Sequence, residues 1–318
     1  MRVGPASGEA RVGLIGCGRL AERGYVPALR RLRSARLVST ADPVIERCAE
    51  IAPESARFDS AEGLLAAGGL DVVIVATPAA SHPGIARAAA EAGVPALVEK
   101  PPAADAEGAA ALVALEREPW IGFNRRFDPR LQRLHDDVPS AEELEIDLTL
   151  RHRAGSWDPH VVRDDALLSL GPHLIDLARW LSGGEVLEVR AFELSDENAV
   201  LEARLDRGLA RISCGRGPDP RDRVLVRTPG GILAHRGDGA ARRLLRRARH
   251  PWTGDLVGLL LRQLEELTEA LRGGAARHLA RARDGFAVMA AIEAARRSAA
   301  SGADWVRVEG LSLTAGAV

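Results

Sequence analysis

Lysine is almost absent from this chain. Of its 43 basic residues, 42 are arginine and one, Lys100, is lysine. Arginine stays charged at any working pH, whereas a desolvated ammonium can give up its proton. A sequence that writes every other cation as arginine therefore marks Lys100 as a proton-transfer candidate. Cysteine is scarce too: Cys17, Cys48 and Cys214 are widely spaced with no C-x-x-C pair, which argues against a disulfide framework and against a zinc or other metal site. Neither an apolar N-terminal stretch of signal-peptide length nor a run of about 18 apolar residues is present, so no leader or membrane span is expected. The net charge of -1 lacks the basic excess that nucleic-acid binding needs. What is present, 46 % apolar and 27 % charged residues, is the composition of a soluble globular protein. A cytoplasmic protein with a reduced interior and room for two domains is expected.

Residues 1–10 read as a frayed tail. Val12-Gly-Leu-Ile15 is a short apolar strand running into Gly16-Cys-Gly-Arg-Leu-Ala21, a dinucleotide fingerprint with alanine in place of the third glycine. Gly16 permits the tight turn. Gly18 lets the backbone, with Cys17, Arg19 and Leu20, approach a pyrophosphate at the N-terminus of the helix that follows to about Leu32. A second strand, Arg36 to Ala41, ends at Asp42, 26 residues after Gly16, near the spacing of the acid that binds the adenosine ribose. A carboxylate there repels a 2′-phosphate and favours NAD; Arg47, one helical turn on, keeps NADP possible. Asp71 to Thr77 is an apolar strand stopped by Pro78, the pattern of a central parallel strand. An alanine-rich helix over Ser81–Gly93, the strand Ala96-Leu-Val98, a helix over Asp105–Glu116 and the strand Trp120 to Phe123 complete the alternation. Such alternation predicts an N-terminal Rossmann doubly wound parallel sheet over residues 11–129. Glu99-Lys100 then falls at the carboxyl end of a strand, where open α/β sheets bind ligands.

Beyond Pro129 the pattern changes. Leu144, Ile146, Leu148 and Leu150 alternate with polar residues, and further strand candidates span 186–194, 199–205, 209–214, 224–228 and 232–235. Helices are expected over 165–181, 253–271 and 284–300, with a last strand over 305–308. Residues 130–318 are thus predicted to form one α+β domain with a large, mostly antiparallel open sheet. Leu256, Leu260, Leu264, Leu267 and Leu271 share one stripe of the middle helix, which marks core packing.

Gly16-Cys-Gly-Arg-Leu-Ala21, Asp42, Thr77-Pro-Ala-Ala-Ser-His82, Glu99-Lys-Pro101 and Gly171-Pro-His-Leu-Ile-Asp176 occur in this order. Together they resemble the glucose–fructose oxidoreductase / inositol dehydrogenase / rhizopine catabolism (Gfo/Idh/MocA) family from Arg11 to Val308. The resemblance implies an NAD(P)-dependent oxidoreductase that moves hydride between nicotinamide and a secondary alcohol or ketone of a sugar, amino sugar or cyclitol. It implies Lys100 as the catalytic acid/base, His173 as the assisting imidazole, a cis Lys100–Pro101 bond, and a homo-oligomer formed through the C-terminal sheet. An ammonium beside oxidised nicotinamide meets a like charge, which tunes it toward working pH. The chain departs from the family at Ser169, where an aspartate usually stands four residues before the histidine. Serine can hydrogen-bond His173 but cannot balance an imidazolium. Asp165, one turn earlier, and Asp176, three residues beyond His173, are candidates to compensate. Asp164 and Asp165 would also make the substrate side acidic and favour a cationic substrate.

Thr77, Pro78 and His82 are expected to edge the cofactor, Glu99 to orient Lys100 or the nicotinamide ribose, and Asn124 and Arg126 to face the cleft. Trp157 and Arg163 would line the substrate pocket. The basic run Arg242 to Arg249 reads as a solvated face, with a nucleotide-sugar diphosphate or a carrier protein as the functional alternative. Two other readings of the whole chain stand beside the dehydrogenase: an imine or enone reductase on the same scaffold, and a non-catalytic nucleotide-binding regulator.

Overall fold

The computed structural model describes residues 8–139, 143–153, 164–236 and 256–310. Its elements run β1 Ala10–Ile15; α1, a π-helical segment Ala21–Tyr25 that continues as α-helix through Val26–Leu29; β2 Ala35–Ala41; α2 Ile45–Ile51; and β3 Ala56–Phe58. There follow α3 Ala61–Ala67, β4 Val72–Val75, α4 His82–Glu91, β5 Ala96–Val98, α5 Ala106–Val113 and β6 Trp120–Ile121. A short 3-10 turn, Asn124–Phe127, leads to α6 Pro129–Asp137, β7 Leu144–Arg153 and α7 Ala166–Ser182. Then come β8 Val186–Leu194, β9 Asn198–Leu205, β10 Gly208–Gly217, β11 Arg221–Thr228 and β12 Gly231–Arg236. The last elements are α8 Leu256–Leu271, β13 Ala280–Arg281, α9 Ala282–Ala300 and β14 Val306–Arg307.

Side-chain caps set several helix starts. Ser60 accepts from Gly63 N–H, Asp105 from Gly108 N–H and Asp128 from Arg130 N–H, with Pro129 as the first helical residue. Each satisfies an amide that the first turn leaves unbonded.

The chain divides into two compact units, Met1–Phe127 with Gly239–Ala282, and Asp128–Asp238 with Arg283–Val318. In the first, the strand order β13-β6-β5-β4-β1-β2-β3 is that of a doubly wound sheet, parallel except for β13. Val72 to Val75 are all buried, which requires an apolar run covered on both faces. The core joins Leu14, Tyr25, Val26, Leu29, Leu97 and Phe127 to Val257, Leu260, Leu264 and Leu267 of α8.

The first segment ends two residues from the expected 129, but α8, expected in the second domain, falls in the first unit. The leucine stripe of α8 is core, but it is the core of the dinucleotide-type unit, and β13 adds an edge strand to that unit's sheet. An amphipathic pattern reports which face of a helix is buried and says nothing of the partner.

In the second unit the order is β12-β11-β7-β10-β9-β8-β14. Every pairing is antiparallel except β7 with β10, which are parallel. The α7 helix lies on β7, β9 and β10, and Ser298 of α9 accepts a bond from Ala191 N–H of β8. On the opposite side of the strands, Asp147, Arg211, Glu202 and Arg190 stand in one cross-strand row of alternating charge. Arg190 and Glu202 are 2.7 Å apart, Arg211 and Glu202 3.4 Å. Opposite charges placed directly across a ladder reinforce its register.

Candidate active site

The turn after β1 has the shape a dinucleotide needs. Gly16 has φ +94°, and a Cβ there would lie 2.6 Å from the carbonyl oxygen of Ala76, so no other residue fits without moving the end of β4. A Cβ on Gly18 would meet nothing within 4 Å. The exposed side of the turn is therefore open to a phosphate where the helix begins. Asp42 is buried at the end of β2, with Oδ2 accepting from Cys17 N–H at 2.9 Å and Oδ1 from Val44 N–H at 2.9 Å. The carboxylate thus pins the glycine turn to β2 and brings its negative charge to the position expected for the ribose-binding acid.

Val44 and Ile45, the next apolar residues, are 45 % and 40 % exposed. Large exposed apolar side chains beside a phosphate turn suit the face of an adenine. Cys17 contributes its backbone only. Its Sγ is buried 3.3 Å from Sγ of Cys48, and burial, followed by that contact, pushes its thiol far up. Leu20 packs on the core, and Arg19 is half-buried beside the turn.

At the carboxyl end of β5, Glu99 is buried, Lys100 is half-buried and the Lys100–Pro101 bond is cis. Glu99 Oε2 accepts from the Lys100 backbone N–H at 3.0 Å, and Glu99 Oε1 accepts from the hydroxyl of Tyr25 at 2.5 Å. Burial pushes the Glu99 carboxyl above its ordinary range, while the Tyr25 bond and the Lys100 charge pull it back.

His82, expected at the cofactor's edge, is 1 % exposed. Its Nδ1 lies 3.0 Å from the carbonyl oxygen of Pro101 and its Nε2 2.8 Å from that of Thr77. The ring therefore ties the ends of β4 and β5 together around Lys100. Burial lowers its proton affinity, against the pull of these carbonyls. Thr77 Oγ1 accepts from Ser81 at 2.8 Å and Pro78 is exposed. Asn124 is buried next along, and the buried Arg126 guanidinium lies 6.0 Å from the Phe123 ring centre.

These features agree with what the chain is similar to. A sequence profile described as an oxidoreductase family with an NAD-binding Rossmann fold matches residues 10–119. The inositol 2-dehydrogenase of Corynebacterium glutamicum (strain R) is 33 % identical over 193 residues, 58 % of this chain and 57 % of that protein, so the match spans little more than half of that relative's length. The rhizopine catabolism protein MocA of Rhizobium meliloti is 30 % identical over 310 residues, 90 % of this chain and 93 % of MocA. The chain belongs to the Gfo/Idh/MocA family. The fold of the WlbA dehydrogenase from Bordetella pertussis, solved with NADH and UDP-GlcNAcA, superposes on this Gfo/Idh/MocA chain with a TM-score of 0.82 at 20 % identity, covering 96 % of this chain and 99 % of that one.

The second unit of this Gfo/Idh/MocA chain carries the remaining candidates on α7. Ser169 and His173 are one turn apart and both half-buried, so they share a face. Asp165 is the helix cap: Oδ1 accepts from Leu168 N–H at 2.7 Å and Oδ2 from Arg296 at 2.9 Å. Both carboxylate oxygens of Asp165 are thus engaged, one by the start of α7 and one by Arg296. Asp176 is buried, and Arg179 pairs with Glu185 at 2.6 Å and Asp284 at 3.0 Å. Trp157, Arg163 and the Arg242–Arg249 run lie outside the described residues.

Sequence reasoning missed Tyr25, Val44, Ile45 and Gly122. Val44 and Ile45 follow Asp42 directly and were open to discovery as apolar residues at an exposed helix start. Tyr25 and Gly122 gain meaning only from contacts across 74 and 23 residues of sequence. Among the described residues no cluster of three His, Cys, Asp or Glu side chains is placed to hold a metal, and no helix is long and apolar enough to cross a membrane.

Proposed function

We propose that the chain is a nicotinamide-dependent dehydrogenase or ketoreductase acting at a secondary alcohol or ketone of a sugar or cyclitol ring, with Lys100 as the acid/base and His173 assisting. The observation that carries this reading is the chain's one lysine, half-buried at the carboxyl end of β5 in the same unit as a glycine turn shaped for a dinucleotide. NAD, when bound, supplies the hydride acceptor. Gly16 and Gly18 would admit its pyrophosphate, Asp42 its adenosine ribose, and Val44 and Ile45 its adenine. Asp42 offers a 2′-phosphate only repulsion, so NAD is preferred over NADP. Thr77, Asn124 and Glu99 would border the nicotinamide side.

In oxidation, the Lys100 amine takes the hydroxyl proton as the C–H bond of the same carbon gives up its hydride; in reduction the ammonium returns the proton to the developing alkoxide. His82 and Glu99 hold the backbone on either side of that amine. The names of the relatives support an inositol-like or sugar-like ring. The pairing of Asp165 with Arg296 favours an uncharged polyol over an amino sugar.

Tryptophan fluorescence titrated with NADH, and turnover across inositols, sugars and their amino analogues, test the proposal. Lys100→Met is expected to leave NADH affinity within about twofold and to lower turnover by at least about 10²-fold, the usual worth of a positioned acid/base. Wild-type turnover surviving in that variant would overturn the role given to Lys100. NADH binding with no turnover on any polyol, ketone or imine would favour a non-catalytic nucleotide-binding protein.

A further inference from the structure

Tyr25 is the chain's only tyrosine, as Lys100 is its only lysine. Tyr25 reaches the buried Glu99 carboxylate through its phenol, and Lys100 reaches it through its backbone N–H. Tyr25 has no exposed surface, sits at the end of the π-helical segment of α1, and donates to Glu99 Oε1 at 2.5 Å. That is the length of a charge-assisted O–H···O⁻ bond. Burial, then the Glu99 charge, pushes the phenol upward, so the proton stays on tyrosine and the carboxylate accepts.

From β6 the neighbour of Glu99 is Gly122. A Cβ there would come within 2.9 Å of the carboxylate carbon and of Oε1, so any side chain at this position would displace the carboxylate. The titratable groups acting on Glu99 are Tyr25 from α1 and Lys100 from the end of its own strand. His82, from α4, directs its ring nitrogens at the carbonyls of Thr77 and Pro101. A carboxylate this deeply buried keeps its charge only while donors and a cation offset the lost hydration.

We infer that Tyr25 is a positioning residue for the proton transfer: its phenol holds Glu99 as a carboxylate behind Lys100, and that carboxylate is the counter-charge of the lysine ammonium. This rests on the acid/base role proposed for Lys100. Removing the phenol oxygen leaves Glu99 with one donor and favours its protonation, and Lys100 then loses its counter-charge.

The single lysine makes this measurable without any assignment problem. The full chain prepared with ¹³Cε-lysine gives one side-chain signal, whose pH titration reads the Lys100 amine directly. In Tyr25→Phe the midpoint is expected to fall by about one pH unit, and in Glu99→Gln by at least as much. An unchanged midpoint in folded Tyr25→Phe would overturn the inference, as would a fall in Tyr25→Phe with none in Glu99→Gln. Should Tyr25→Phe not fold, an unchanged midpoint in Glu99→Gln overturns it alone. The signal requires neither substrate nor turnover. A midpoint that falls as expected in a chain inactive on every polyol, ketone and imine would sustain the pairing while sinking the catalytic reading. In an active enzyme the low-pH limb of kcat/KM moves with the same midpoint.

Discussion

His82 stands between two carbonyl groups and has at most one N–H to offer them while neutral. Burial lowers its proton affinity below the ordinary histidine value, which means that the unfolded chain binds the proton more readily. The contribution of this ring to stability is therefore complete above about pH 6.5 and is lost as the pH falls below that value toward the lowered one in the fold. Thermal unfolding followed by circular dichroism is expected to show wild type losing more stability between neutral and mildly acidic pH than His82→Gln does. At neutral pH the variant is expected to be less stable by about 1–3 kcal/mol, since a buried carbonyl loses its donor. Lys100, Asp42 and the glycine turn were legible in the sequence because rarity and fixed spacing mark them. The work of His82, Tyr25 and Gly122 was not, because each acts through a partner on another strand or helix. Asp165 offered two readings in sequence, because an acid just before a helix serves equally as a cap and as a site residue; in the fold it caps α7 and contacts Arg296.

The order of strands and helices in the first 127 residues followed from the alternation of apolar runs, and the strands of the second unit from their period of two. The short β3 and β13 carry too few residues to show any period, and the α6 helix, opened by the Asp128–Pro129 cap, was not foreseen. The principal surprise at this scale is α8, whose sequence position lies 129 residues beyond the first segment of the unit it completes. Leu260 is fully buried in that unit's core. Leu260→Ala is expected to lower stability by about 2–5 kcal/mol. It should weaken NADH binding as the glycine turn loosens, although the substitution touches no cofactor residue. Chemical denaturation monitored with and without NADH checks both. A loss of stability with no dependence on cofactor would show that α8 supports another part of the molecule.

Both units are built from two separated segments of chain. A fragment of residues 1–129, the tail and first domain expected from sequence alone, leaves Tyr25, Val26 and Leu29 without the helix that covers them. Such a fragment is expected to unfold without a cooperative calorimetric transition and to bind hydrophobic dyes. Joining residues 256–282 to it through a flexible linker should restore the transition. A cooperative transition in the unlinked fragment would show that α8 is an accessory to the core and not a member of it.

The same interleaving governs how the protein is made. During synthesis the first unit waits for residues up to Ala282, and at about 5–20 residues per second that wait lasts roughly eight to thirty seconds after Phe127 has been added. The second unit is still waiting for α9 and β14 when the first becomes complete. Neither half can be completed early, so refolding yield from denaturant is expected to fall as protein concentration rises, with light scattering as the check.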